Sequence, residues 1–412
     1  MPKNEHIIVG LDIGTTKICA IVAEVTPERG VDIIGVGSSL SRGLRKGVII
    51  NIESTVESIK KAVEEAEVMA GVQINSVYIG IAGEHISSET AKGVVALKRD
   101  EVLRADVLRA IETARSAAVV SPDRHVFHVL PREFIVDHQE GIREPVGISG
   151  SRMEVEVHIV TGATTSAKNL KKCVNRAGLD VVAIILQPLA SSEAVLTEEE
   201  KELGVAMVDL GGGTSDLAIF SEGTICHSAV LPVGGQHITT DLQIGLRTSL
   251  VDAERIKIEH GVALVTMVKE TEMVEVPSVG GRPPHMVGKR EIAEIVQPRV
   301  EEMFELVLRE IRRSGYEGKL AAGVVITGGT SMLPGMPDGA ERVLNLPGRR
   351  GMPAGVVGLR DIVSGPGYST GVGLILHACR MDQGGETVGA GRKNGNGMGL
   401  LGRMKSRILN FF

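Results

Sequence analysis

Apolar residues along this chain fall mostly into short runs that end in glycine turns, with charged amphipathic stretches between them. Residues 6–11 and 18–25 are two such runs around Asp12-Ile13-Gly14-Thr15-Thr16-Lys17. Residues 205–208 and 217–220 are two more, around Asp209-Leu210-Gly211-Gly212-Gly213-Thr214-Ser215-Asp216. A run, a glycine turn and a second run predict a β-hairpin. Residues 31–39, 47–50 and 77–81 predict further strands. Residues 54–70 carry Val56, Ile59, Val63 and Met69 among charges, which predicts an amphipathic helix that stops at Gly71. This opening is α/β in type.

From about residue 83 to 164 the texture changes. A helix over 102–118 and strands over 125–129, 132–136 and 152–159 predict a small inserted α+β unit. No motif for chemistry lies in it, and His125, His128, His138 and His158 lack a tight ligand spacing, so it reads as a contact surface. A helix over 166–177 then stops at Gly178, and a strand over 181–186 leads into a connecting helix over 187–196. Gln187 either reaches a cleft and orients water or simply opens that helix.

Further on, Gly234 and Gly235 open a helix, where Gly235 can supply an amide to an anion or serve as a cap. Glu254 and Lys257 share one helical face, as a surface ion pair or as ribose and base contacts. Residues 275–284 are a Gly/Pro loop. Residues 290–313 are helical, with a break or kink expected at Pro298. Residues 321–335 form a third strand-to-glycine unit. Gly328 and Gly329 there would let a flat base lie on bare backbone, or merely turn a strand into a helix. Residues 368–378 are rich in small residues and predict a second connecting helix.

The two glycine hairpins carry the candidate chemistry. Gly211, Gly212 and Gly213 lack Cβ atoms, so an anion can touch their amides. Thr214 and Ser215 add hydroxyls, and Asp209 at the strand end can face magnesium through water. The earlier loop repeats the arrangement with Asp12, Gly14, Thr15 and Thr16, and adds Lys17 for a phosphate. Two related loops, at Asp12 and 197 positions later at Asp209, predict two similar half-structures facing one ligand. Neither is a GxxxxGK[ST] loop, and each leads into a strand, so hairpin amides would replace a helix N-terminus.

Composition narrows the alternatives. Aromatic residues make up 2% of the 412, with no Trp, so the core must be aliphatic. So few rings, with a net charge of −6, argue against nucleic acid as a partner. Cys19, Cys173, Cys226 and Cys379 show no CxxC spacing, which predicts buried reduced thiols in a cytosolic protein. No signal peptide is seen, and no apolar run reaches the roughly 20 residues that span a bilayer. Residues 381–399 are glycine-rich and predict a flexible tether. On a helical wheel beyond it, Leu400, Leu401, Met404, Ile408, Phe411 and Phe412 gather on one arc flanked by Arg403, Lys405 and Arg407. An apolar arc with cationic flanks suits an anionic membrane surface, and docking on a protein is the competing reading.

In that order, residues 12–17, 187–196, 209–216, 323–335 and 368–378 resemble the five nucleotide-site segments of the actin, heat-shock-chaperone and sugar-kinase superfamily. Within it the chain resembles the bacterial cell-division family FtsA, through SRGLRKGVIINIE (41–53), AERIKIEHGVA (253–263), EVPSVGGRPP (275–284), VVITGGTSMLPG (324–335) and the basic tail. The resemblance implies an α/β, actin-like two-lobed fold of duplicated ribonuclease-H-like cores. It implies subdomain 1A at 1–82, 165–198 and 359–380, 1C at 83–164, 2A at 199–233 and 303–358, and 2B at 234–302. The linker at 381–399 and an amphipathic targeting helix at 400–412 would follow.

The resemblance also implies ATP and magnesium as cofactors. Asp12 and Asp209 would face the metal, Gly14 to Lys17 and Gly211 to Thr214 the phosphates, and Glu254, Lys257, Gly328 and Gly329 the nucleoside. Gln187 stands where some actin relatives have an acidic residue, so no catalytic base is assigned and hydrolysis is expected to be slow at most. The implied role is to polymerise on the cytoplasmic face of the inner membrane at the division septum. There it would bind the C-terminal peptide of FtsZ through 2B and help recruit later division proteins. A small-molecule kinase would need a catalytic carboxylate by a substrate pocket, and no such motif is seen. A chaperone would need a substrate domain after the second connector. A type IV pilus assembly protein offers no reason for the terminal helix.

Overall fold

The computed structural model describes residues 6–27 and 30–386. Two sheets that share the same order over five strands form the body, and the first carries a sixth, Val357–Gly358, at its edge. The first runs Asp180–Leu186, Ser76–Ile81, His6–Ile13, Lys17–Thr26, Gly30–Leu40 and Val357–Gly358. The second runs Gly348–Arg350, Val324–Thr327, Val205–Leu210, Ser215–Ser221 and Thr224–Leu231. In each, three consecutive strands form an antiparallel meander, and two later strands add in parallel beside the first. The duplication expected from the two hairpins is therefore a duplication of whole sheets. Their central strands read as continuous apolar runs because both faces are covered.

Local chemistry sets the element ends. Asn51 caps the helix Ile52–Ala70 by accepting a hydrogen bond from the Ser54 amide, and Gly71 ends it at φ 68°. Of the break or kink expected at Pro298, the break does not occur: Lys289–Ser314 is a single helix. An interior proline costs about 3 kcal/mol. The helix buries Ile292, Val296, Val300, Met303, Phe304, Val307 and Ile311, on both sides of that proline. Each such side chain contributes about 1.5–3 kcal/mol, so continued packing outweighs the lost hydrogen bond.

Other expectations were displaced by tertiary context. The two strands expected at 125–129 and 132–136 are one strand, Arg124–Val136, paired through two register shifts to Arg152–Ala163. The Gly/Pro loop at 275–284 closes a hairpin between Met273–Val276 and His285–Gly288. The second connecting helix, Ser369–Glu386, continues past residue 381, where the tether was expected to begin. Residues 387–399 and the helix expected at 400–412 lie outside the described residues. All four cysteines are buried, and none forms a disulfide. No helix among the described residues is long and apolar enough to cross a membrane.

The inserted unit is a sheet of Ser87–Ala96, Arg152–Ala163, Arg124–Val136 and Gln139–Ile142, with the helix Arg104–Ala117 on one face. It docks on the second lobe at the edge strand Thr224–Leu231. Ser88 Oγ donates to the Ser228 carbonyl at 2.8 Å, and His158 Nε2 lies 3.0 Å from Ser228 Oγ. Arg132 bridges Glu156 and the Tyr316 hydroxyl.

Burial, helped by the nearby charges of His227 and Arg132, pushes the His158 pKa from 6.5 down to about 3. Between those values the unfolded chain binds a proton that the native state refuses, so stability is lost as pH falls through that window. In urea unfolding between pH 6 and 4, His158 alone is expected to cost about 1.4 kcal/mol per pH unit, and His158→Asn should flatten the dependence by that amount. An unchanged slope in the variant would show that the ring titrates freely.

Candidate functional site

Both hairpins close the same way. Ile13 pairs with Ile18 and the Gly14 amide donates to the Lys17 carbonyl at 3.0 Å. Leu210 pairs with Ser215 and the Gly211 amide donates to the Thr214 carbonyl at 2.9 Å. The two turns, one from each lobe, also touch. A Cβ at Gly213 would sit 2.7 Å from Thr15 Oγ1, and one at Gly212 would be driven into Thr16 Cγ2. Glycine is required there for close approach, a constraint the sequence shows only as composition.

Around this contact lies a cleft of about 340 Å³. Asp12, Gly14 to Lys17, Asp209, Gly211 to Thr214 and Gln187 line it, together with Glu254, Lys257, Gly328 and Gly329. Gln187 both lines the cleft and opens the helix Gln187–Val195, and its Nε2 donates to Asp12 Oδ1 at 3.0 Å. Glu254 and Lys257 form an ion pair at 2.7 Å, and Lys257 also donates to Thr239 Oγ1 at 3.0 Å. Gly328, at φ 82°, sits where a Cβ would press 2.6 Å from the Leu210 carbonyl. Gly235 departs from the expected amide donor. Its N–H is used by the Gly211 carbonyl at 3.0 Å, and the Gln236 amide by the Gly212 carbonyl at 2.8 Å. It braces the second hairpin and does not line the cleft.

Three carboxylates share the floor. Asp12 keeps some contact with the open cleft, yet protein crowds it enough that burial, reinforced by Asp209 and opposed by Lys17, raises its pKa to about 7. Burial also raises Asp209, against the hydrogen bonds that Ser191 (2.6 Å) and Thr370 (3.2 Å) donate to its Oδ2. Asp216 is pushed well up, by burial and then by Asp209 and Asp12, and its Oδ1 lacks a hydrogen-bond partner among the described residues. Among the described residues no three His, Cys, Asp or Glu are close enough to hold a metal unaided.

A family model described as cell division protein FtsA matches residues 206–373, and one described as the SHS2 domain inserted in FtsA matches 83–161. The cell division protein FtsA of Pseudomonas aeruginosa is 49% identical over 94% of this chain and 92% of its own length. That of Neisseria meningitidis serogroup B is 45% identical over 100% of both chains. This chain belongs to the FtsA family. Like its FtsA relatives it is an actin-like cell-division protein. Among solved structures, the PilM-PilN type IV pilus biogenesis complex matches with a TM-score of 0.65 at 15% identity, covering 90% of this chain and 98% of that one. MreB5 of Spiroplasma citri bound to AMPPNP matches with a TM-score of 0.57 at 14% identity, covering 94% and 100%. Likenesses at that identity show the actin-like fold alone.

Sequence reading passed over several residues of this FtsA cleft. Asp216 had a signal, since a hairpin closing at Leu210 and Ser215 sets it opposite Asp209. Ser191 and Thr370, on the two connecting helices, had none, because only the helix crossing brings them to Asp209. A small hairpin of Leu44–Arg45 and Val48–Ile49 walls one side, with the Gly47 amide donating to Thr15 Oγ1 at 3.1 Å. Lys46 and Gly47 have φ of 49° and 74°, the two-residue turn that hairpin twist favours.

Gly212→Ala is expected to lower unfolding stability by about 1–3 kcal/mol through overpacking against Thr16. Adding Thr16→Ala should recover much of the loss in urea denaturation. Independent, additive effects would mean the turns do not press on one another.

Proposed function

We propose that the cleft binds ATP with magnesium, and that this chain uses the nucleotide state to assemble on the cytoplasmic face of the inner membrane and tether FtsZ filaments at the septum. The observation that carries the reading is the pair of matching hairpins that meet over three crowded carboxylates. The Gly14 and Gly211 amides close the hairpins, so the other amides of both turns, with Thr15, Thr16, Thr214 and Lys17, suit the oxygens of a polyphosphate. Glu254, Lys257, Gly328 and Gly329 lie in the same cleft and suit a nucleoside. The residues present also fit magnesium. Asp12, Asp209 and Asp216 repel one another in a low-dielectric floor, and Asp216 Oδ1 is unsatisfied. Magnesium takes one or two carboxylates with water and phosphate, so no three-carboxylate cage is needed. Bound there, the ion would neutralise phosphate charge, with Asp12 and Asp209 facing it. Turnover is slow at most, because Gln187 is neutral and its Nε2 is held by Asp12.

Calorimetric titration with ATP tests this. Binding should weaken about ten-fold when EDTA removes magnesium, and about ten-fold or more in Asp209→Ala. Equal affinity in all three conditions would overturn the reading.

The remaining assignments follow family membership and are proposals for this chain. Residues 83–164 would act as 1C in self-association into filaments, and 234–302 as 2B. An open depression of about 550 Å³ there, edged by Arg247, Arg282 and His285, supports 2B as the face for the FtsZ C-terminal peptide. Residues 400–412 would hold the chain on anionic lipid. Co-sedimentation of FtsZ with liposomes separates these parts. The whole chain should carry FtsZ into the pellet, and a chain ending at Gly399 should leave both in the supernatant. Arg282→Glu should pellet without FtsZ. Lipid binding that survives the truncation would remove the tail from the scheme.

A further inference from the structure

One cation in the cleft, Lys17, is held without an ion pair among the described residues. Lys17 follows the first hairpin turn, and its backbone is fixed by pairing with Leu40. Its side chain crosses to the turn Pro366–Tyr368, which lies ahead of the second connecting helix. There Nζ donates to the Gly367 carbonyl at 3.0 Å and stands 3.6 Å above the centre of the Tyr368 ring. Asp12 feels the charge of Lys17, yet among the described residues no carboxylate forms an ion pair with it. Gly367 lines the cleft, and the same turn accepts the Gly328 amide on Pro366 at 3.2 Å.

A lysine paired with a carboxylate must break that pair before it can serve a phosphate, and much of the gain is lost. A carbonyl and an aromatic face hold an ammonium while leaving its full charge available. The turn beside Gly328 and Gly329 therefore presents a positive charge toward whatever anion enters between the hairpins.

We propose that Tyr368 is a positioning residue for phosphate: its ring holds the Lys17 ammonium at the cleft, ready to exchange the Gly367 carbonyl for a phosphate oxygen. This rests on the nucleotide reading above and adds to it a residue outside both hairpins. It makes the aromatic face the part that matters. The hydroxyl is dispensable, because only the ring faces the cation.

The test measures equilibrium binding of magnesium-ATP and, as a second probe, inorganic tripolyphosphate to the full chain. Tyr368→Leu should weaken both about ten-fold, and Tyr368→Phe should stay within about two-fold of the original. In a Lys17→Met background, Tyr368→Leu should change affinity by less than about two-fold, because the two residues act as one unit. Should leucine leave the turn misfolded, as judged by the urea midpoint without ligand, Tyr368→Met carries the same comparison. Independent, additive losses from Lys17→Met and Tyr368→Leu, or equal losses in the Phe and Leu variants, would overturn the proposal alone. No binding of ATP or tripolyphosphate by the original chain would overturn the nucleotide reading and this proposal together.

Discussion

Confinement of three carboxylates where the lobes meet is the constraint on which the rest of the molecule turns. Asp12 comes from the first sheet, and Asp209 and Asp216 face each other across one hairpin of the second. Burial and the neighbouring carboxylates push Asp12 and Asp216 above the usual carboxylate range, so each resists ionising while the others carry charge. A fold does not retain such repulsion without compensation. Here it comes from hydroxyls on Asp209, from the nearby Lys17 and from the Gln187 amide on Asp12. What remains is a floor that favours protons or cations, beneath a pair of turns that favour anions.

The compensation ties chemistry to mechanics. Ser191 lies on the first connecting helix and Thr370 on the second, and both donate to one oxygen of Asp209. The helices cross so closely that a Cβ at Gly373 would overlap the Ala190 carbonyl, and the Gly371 carbonyl packs 2.8 Å from where a Cβ at Gly10 would stand. Small residues in the second connector therefore serve approach, because only a bare backbone reaches this spacing. Farther along, Arg380 binds Glu193 at 2.6 Å, with Lys201 at 3.8 Å from the same carboxylate. The crossing is thus fastened at both ends, by hydroxyls at the cleft and by ion pairs at the far side.

The inserted unit meets the second lobe through different physics. Its contact sets the edge strand Thr224–Leu231 and the nearby Tyr316 against the inserted sheet, whose Ser88, His158 and Arg132 satisfy polar groups that would otherwise face water. Unpaired strand edges invite association with other chains, and covering one with another sheet of the same molecule removes that hazard. A neutral His158 suits this seam, because a charged ring so deeply buried would have no compensating partner.

Much of this could be read along the chain, because the signals were local. Glycine turns between apolar runs gave both hairpins, the Gly71 and Gly178 stops depend on backbone freedom at single positions, and a repeated loop foretold a repeated sheet. A break at Pro298 and an anion-binding amide at Gly235, each one of two readings open along the chain, failed for the opposite reason. A helix face packed on both sides of a proline, and a carbonyl in the neighbouring hairpin, belong to other parts of the chain. Asp216, Ser191, Thr370 and Tyr368 became visible as one neighbourhood only after folding. The order of residues determined that two glycine hairpins would form, each with an aspartate at its strand end. Tertiary structure alone decided that those hairpins touch, that two helices cross behind them, and that one lysine rests on an aromatic face 351 positions away. Hairpin formation is governed by near neighbours, whereas contact between lobes depends on packing that no local window contains.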